Sequence, residues 1–292
     1  MKSYHIFATI LAAALATACN GIGENDGKKT GGQMWVHEKP QVAMVEISSG
    51  DNVIETYEYT YDEQGRMLTL VRTDHLSNVV MLDLSYTYPG ENQMKVQGTF
   101  FPIKTNRYID VSCNPDSGTI SYTGSWSGAW SYTTTVGSSG VISSTVCQSN
   151  FASSEGYYTS NMDYSELYTV AEGTVTESVI GTGINAKSSK STRTANSSTL
   201  KTIYSKGDQA DRQNFAAYLM PDYFPVWIAS GLPGNKTLIT GISSFTGTIQ
   251  APETTALEYS FNAAGNIDSV VRTDRNGSET VLTRTYKFFY KE

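Results

Sequence analysis

EYTYDEQGRMLTLVRTD, Glu58 to Asp74, sets out in seventeen residues the pattern on which the rest of the chain is built. Tyr59 and Tyr61 share one parity with Tyr57 just upstream, while Glu58 and Thr60 take the other. Side chains two apart on a strand share a face, so this half reads as a strand with one aromatic and one polar side. Asp62 then offers a short acceptor to the backbone that follows it. Gly65 supplies a residue that enters the left-handed region without a Cβ. MLTLVRTD resumes as a second strand. The whole is an antiparallel hairpin closed by a four-residue turn.

The pattern returns at Glu258–Asp274, EYSFNAAGNIDSVVRTD, which aligns to the first copy without gaps. Glu258, Tyr259, Gly265 and the VRTD tail match their counterparts, and Asn262 stands where Asp62 began the first turn. Identity in the strand tails exceeds what turn chemistry demands, which favours duplication over convergence. Arg72 and Asp74, and again Arg272 and Asp274, lie two apart on a strand, so each pair is expected to form a modest surface ion pair.

Outward from these hairpins, period-two alternation broken by Gly, Asn, Asp and Pro runs along the chain. It predicts strands near 42–47, 53–61, 66–74, 79–88, 93–101, 107–113 and 118–136. Further strands are expected near 141–147, 164–170, 173–181, 199–205, 237–249, 255–262, 266–274 and 279–290. Short strands at this spacing indicate an all-β class, here a large antiparallel meander barrel. In such an order Cys113 and Cys147 have at least one strand between them, too far apart for a disulfide.

YTGSWSGAWSY, Tyr122 to Tyr132, holds only aromatics and glycines at even positions and only small residues at odd ones. One continuous strand over Thr119–Val136 places Tyr122, Trp126, Trp130 and Tyr132 on one face. A two-residue turn at Ser127–Gly128 is the competing geometry. Together with Tyr57, Tyr59 and Tyr61, these aromatics either fill a barrel interior or form a platform for a glycan or lipophilic ligand.

One helix is expected, over Asp208–Leu219, DQADRQNFAAYL, with Asp208 capping its first turn and Pro221 ending it. The apolar passage that follows carries Trp227. Its aromatic density predicts that the helix and passage pack at or in the barrel opening, adding to the candidate ligand face. Much of the Ser/Thr-rich tract Gly181–Lys201 reads as a mobile solvated loop rather than a partner-binding arm.

The chain has 292 residues, with 21 basic against 28 acidic side chains and a formal charge of −7, which argues against a nucleic-acid partner. MKSYHIFATILAAALATAC begins with Lys2 and a short apolar run that ends in small residues before Cys19. This resembles a bacterial lipoprotein signal, with cleavage before Cys19 and acylation of its thiol. Residues 1–18 are thus the signal peptide, 19–33 a Gly-rich flexible tether, and 34–292 a single β-barrel domain.

Catalytic chemistry is sparse. The sequence has no His, Cys or acidic set with metal-ligand spacing, no Gly-x-Ser-x-Gly elbow and no phosphate-cradling Gly loop. His75 reads as a solvated loop residue. The expectation is a non-enzyme without metal or cofactor.

LATAC, the YTYDEQGR hairpin, GLPGNKTLI and the closing YSFNAAGNIDSVV together resemble a family of Bacteroides-type lipoproteins with a porin-like antiparallel β fold. The resemblance implies a porin-like fold; the closing KFFYKE, not an aromatic end, and the Cys19 signal make the expectation a soluble barrel, lipid-anchored at the cell envelope in the outer membrane. It transfers no catalytic residues. Two roles follow as expectations: a binding or carrier module for a glycan or lipophilic ligand, or a structural or adhesive surface protein with a filled barrel.

Overall fold

A computed structural model describes residues 35–37, 40–100, 103–114, 119–124, 129–136, 142–152, 158–171, 174–188, 192–210, 237–246 and 253–291. These residues form sixteen strands and no α-helix. The first six are β1 (Gln41–Ser49), β2 (Asn52–Tyr61), β3 (Met67–Asp74), β4 (Val79–Gly90), β5 (Gln93–Phe100) and β6 (Ile103–Asn114). Then come β7 (Thr119–Gly124), β8 (Ala129–Val136), β9 (Ile142–Ala152), β10 (Tyr158–Ala171) and β11 (Thr174–Ser188). The remainder are β12 (Thr192–Ala210), β13 (Thr237–Thr246), β14 (Glu253–Phe261), β15 (Ile267–Asn276) and β16 (Glu279–Lys291).

Every strand pairs antiparallel with its neighbours in sequence, and β1 also pairs with β16, so the meander closes into a barrel. The alternation seen in the sequence becomes sidedness. Inward-facing Val45, Tyr57, Leu70, Leu84, Val96, Ile109, Val270 and Phe288 are all buried. Outward-facing Glu58, Thr60, Asp83, Ser85, Thr87, Gln97, Asp110, Glu258 and Lys287 are exposed. Apolar area leaves water on the inside, and the outside keeps its hydration.

The two ends of the barrel differ. At one end the chain enters as residues 35–37, crossing the β2–β3 and β4–β5 turns. Val36 bridges to Arg66, the His37 amide donates to the Gly65 carbonyl at 3.0 Å, and Trp35 Nε1 donates to the Glu91 carbonyl at 3.1 Å. Trp35 is fully buried there against Tyr88. The other end carries the β1–β2, β3–β4 and β15–β16 turns.

Three expectations are corrected. Thr119–Val136 is not one strand but the paired strands β7 and β8, with Tyr122 opposite Tyr132 and Gly124 opposite Trp130. A hairpin whose paired residue numbers have an even sum preserves parity through its turn, so alternation alone does not distinguish it from a continuous strand. Ser127 and Gly128, where a two-residue turn was the competing geometry, lie outside the described residues. The tract Gly181–Lys201, expected as a loop, is largely the β11–β12 hairpin, paired from Gly181↔Thr199 to Lys187↔Thr192. Backbone ladders need no apolar side chains, and β-branched threonines favour extended backbone. Asp208, expected to begin a helix, instead extends β12 through Ala210, which pairs with Thr237. The rest of that helix and the passage containing Trp227 lie outside the described residues.

Cys113 on β6 and Cys147 on β9 are separated by β7 and β8. Three strand spacings are about 14 Å, twice the reach of a disulfide.

Candidate functional site

Tyr57, Tyr59 and Tyr61 share the inner face of β2, as their parity requires, and are 4–6% exposed. The Tyr61 hydroxyl donates to the Val42 carbonyl at 2.9 Å and the Tyr57 hydroxyl to Glu55 at 3.3 Å. Burial pushes the Tyr57 phenol well above its ordinary range, with Arg72 opposing and Glu55 assisting the shift. This stripe is core. Trp130, on β8, stands opposite Gly124 and Ser149 and lies six strands from β2 around the wall. Trp126, Trp227 and Cys19 lie outside the described residues.

The inner wall also holds charge, and here the surface reading of the arginine–aspartate pairs is overturned. Arg272 and Asp274 are 3% and 2% exposed. Arg272 Nη2 meets Asp274 Oδ2 at 2.8 Å, and its Nε donates to both carboxylate oxygens at 3.0 Å. Thr255 donates a further hydrogen bond to Asp274 Oδ1 at 2.7 Å. Burial works against the Arg272 charge, yet Tyr286 and Asp274 outweigh it and hold the guanidinium above its usual range. Both residues face inward because their parity is that of Val270, which is fully buried.

The first copy does otherwise. Arg72 pairs across the hairpin with Glu55 at 3.1 Å and lies over the Tyr57 ring, its Cζ 5.6 Å from the centroid. Asp74 instead accepts the amides of Leu76 and Ser77 at 2.8 and 3.1 Å, capping the β3–β4 turn. His75 is exposed, as expected, with Nε2 3.1 Å from Thr56 Oγ1.

These groups form a belt along the inner wall, running from Arg72 and Glu55 through Tyr57 and Tyr286 to Arg272, Asp274 and Thr255. Tyr57 and Tyr286 are close enough to influence each other electrostatically across β1. The RTD repeat signalled these residues in the sequence, but residue type placed them outside. Trp35 was missed altogether, because it precedes the first alternating run and carries no periodic signal. The described residues contain no group of three or more side chains able to hold a metal ion.

The closed antiparallel meander, with a charged belt on the inner wall of β2, β3 and β14–β16, defines a porin-like β-barrel. Two solved structures share the fold. A porin-like protein from Bacteroides uniformis aligns with a TM-score of 0.53 at 13% identity, over 88% of this chain and 100% of that one. A porin-like protein from Bacteroides vulgatus aligns with a TM-score of 0.52 at 13% identity, over 86% of this chain and 99% of that one. No family model matches the chain, and no curated protein is similar to it.

Proposed function

We propose that the chain is a non-enzymatic cell-envelope protein, lipid-anchored through Cys19, whose barrel stands in water as a structural or adhesive module. The observation that carries this reading is the sidedness of the wall. A barrel crossing a bilayer turns an apolar band toward lipid, with polar groups inside. Here Glu58, Asp83, Ser85, Gln97 and Glu258 face outward and are exposed, while the tyrosines of β2 are sealed inside. Burial of that stripe favours a filled barrel over a glycan or lipophile carried along this wall. Its outer surface and its two ends are then what it offers to partners.

The test is metabolic labelling with a fatty acid, followed by detergent phase partitioning of the wild type and of Cys19→Ser. The expected result is label on the wild type alone, with Cys19→Ser entering the aqueous phase as a folded β protein. Retention of Cys19→Ser in the membrane as an integral protein would overturn the reading.

A further inference from the structure

Arg284 lies two residues before Tyr286 and four before Phe288, both buried on the inner face of β16, and so shares that face. The register of β15 and β16 sets it directly opposite Arg272. Directly opposed residues on one face of a sheet hold their Cβ atoms about 5 Å apart, and like charges so placed repel. The carboxylates nearby are already engaged. Asp274 gives both oxygens to Arg272, Glu55 is held by Arg72 and Tyr57, and Asp74 caps the β3–β4 turn. Glu253 lies at the start of β14, opposite Asn276 and away from Arg284, which stands opposite Arg272.

Arg284 forms no ion pair with any described residue. Its Nε is buried and has no hydrogen-bond partner. A buried N–H of a permanently charged group must be given an acceptor or bear its full desolvation cost. Ile47 and Leu257, both buried, stand opposite Tyr286 and Arg272, while Arg284 as a whole is half-buried, so solvent ions can reach its guanidinium.

The geometry points to an oxyanion site on the inner wall at the end bearing the β15–β16 turn. A carboxylate or phosphate group sits against the guanidinium of Arg284, beside Arg272 and the Tyr286 hydroxyl. Such an anion supplies the missing acceptor and relieves the Arg272–Arg284 repulsion in one step. Paired arginine forks match the planar spacing of these oxygens better than an ammonium does. The site goes beyond the anchoring and filled-wall reading and depends on neither.

The test uses the purified full chain, melted in sodium phosphate or sodium acetate against sodium chloride at matched ionic strength. The expected result is a saturable rise in Tm with one of the two oxyanions, identifying a phosphate or a carboxylate ligand. Binding should weaken about tenfold or more in Arg284→Gln and only partly in Arg284→Lys. Hydrogen exchange on the wild type provides a second readout, free of any folding defect in the variants: added protection should centre on β15 and β16 near 270–286. Equal responses in wild type and Arg284→Gln, no response to either oxyanion, or protection located elsewhere would overturn the site.

Discussion

The hairpins β2–β3 and β14–β15 repeat one another down to individual hydrogen bonds on the outside and diverge on the inside. In both turns the first side chain accepts two amides: Asp62 from Gln64 and Arg66 at 2.9 Å each, and Asn262 from Ala264 and Asn266 at 3.0 Å each. Gly65 and Gly265 sit at φ 84° and 81°. An outer hydroxyl pair spans each ladder, Thr60 with Thr69 at 2.6 Å and Ser260 with Ser269 at 2.7 Å. Even the following strands agree, because Tyr88 donates to the Met67 carbonyl at 2.8 Å and Tyr290 to the Ile267 carbonyl at 2.6 Å.

Inside, one aligned position makes the difference. Glu55 brings a carboxylate that takes Arg72, which leaves Asp74 to cap a turn. Thr255 brings no charge, so Asp274 must take Arg272. Turn geometry is fixed by a few residues acting locally, whereas an inner ion pair depends on what the neighbouring strand presents. Identical RTD tails therefore carry different electrostatics.

The largest expected contrast lies in those inner pairs. Asp274→Ala strands a buried guanidinium and should cost about 3–5 kcal/mol in denaturant unfolding. Glu55→Ala frees a more accessible arginine, with Asp74 close by, and should cost about 1–2 kcal/mol. Equal losses would break the distinction between the copies.

The two glycines come next. A Cβ on Gly65 would meet Gln41 Nε2 at 2.7 Å and the His37 carbonyl oxygen at 3.0 Å, in a backbone region disfavoured for branched residues. Gly65→Val should cost about 2–4 kcal/mol, and Gly265→Val, at an exposed turn, about 1–2 kcal/mol through its positive φ. Thermal unfolding of the two variants would check the order, and a tolerated Gly65→Val would remove the link between this turn and the entering chain.

The smallest contrast is in pH. Partial burial opposes ionisation of Asp62, but the amides of Arg66 and Gln64 and the Arg66 guanidinium outweigh it and hold the carboxyl below its usual range. That stabilisation is complete above the unfolded value of about 4 and is lost as pH falls through the lowered folded value. Asn262 does not titrate. Protection of the Gln64 and Arg66 amides, taken relative to intrinsic exchange at each pH, should therefore fall in acid, while that of Ala264 and Asn266 holds. Parallel behaviour of the two turns would show that acid loosens the barrel as a whole.

Much of this architecture was legible in the sequence. Strand alternation, the turns at Asp62 and Asn262, and the tyrosine face of β2 all follow from contacts within a few residues or across one hairpin. The split of Thr119–Val136 was hidden because a hairpin and a strand carry the same parity there. The strands through Gly181–Lys201 were hidden because their pairing is made by backbone rather than apolar side chains. The inner belt was least legible. Nothing in VRTD says which parity faces inward, and Arg272 was assigned by its chemical type to the surface. Only its register with buried Val270 and Tyr286 corrects that.

Closure of β1 on β16 has a consequence in time. The two strands that form this seam are separated by nearly the whole barrel in sequence, so their ladder is the most non-local strand pairing among the described residues. Every other pairing joins consecutive strands and can form as the chain becomes available. Until β16 arrives, β1 presents a free row of backbone donors and acceptors with Val45 and Ile47 uncovered along it. Such an edge recruits other strands, including those of a second copy. Loop closure of this length slows folding. Folding therefore has to keep one early edge from misjoining until its distant partner emerges.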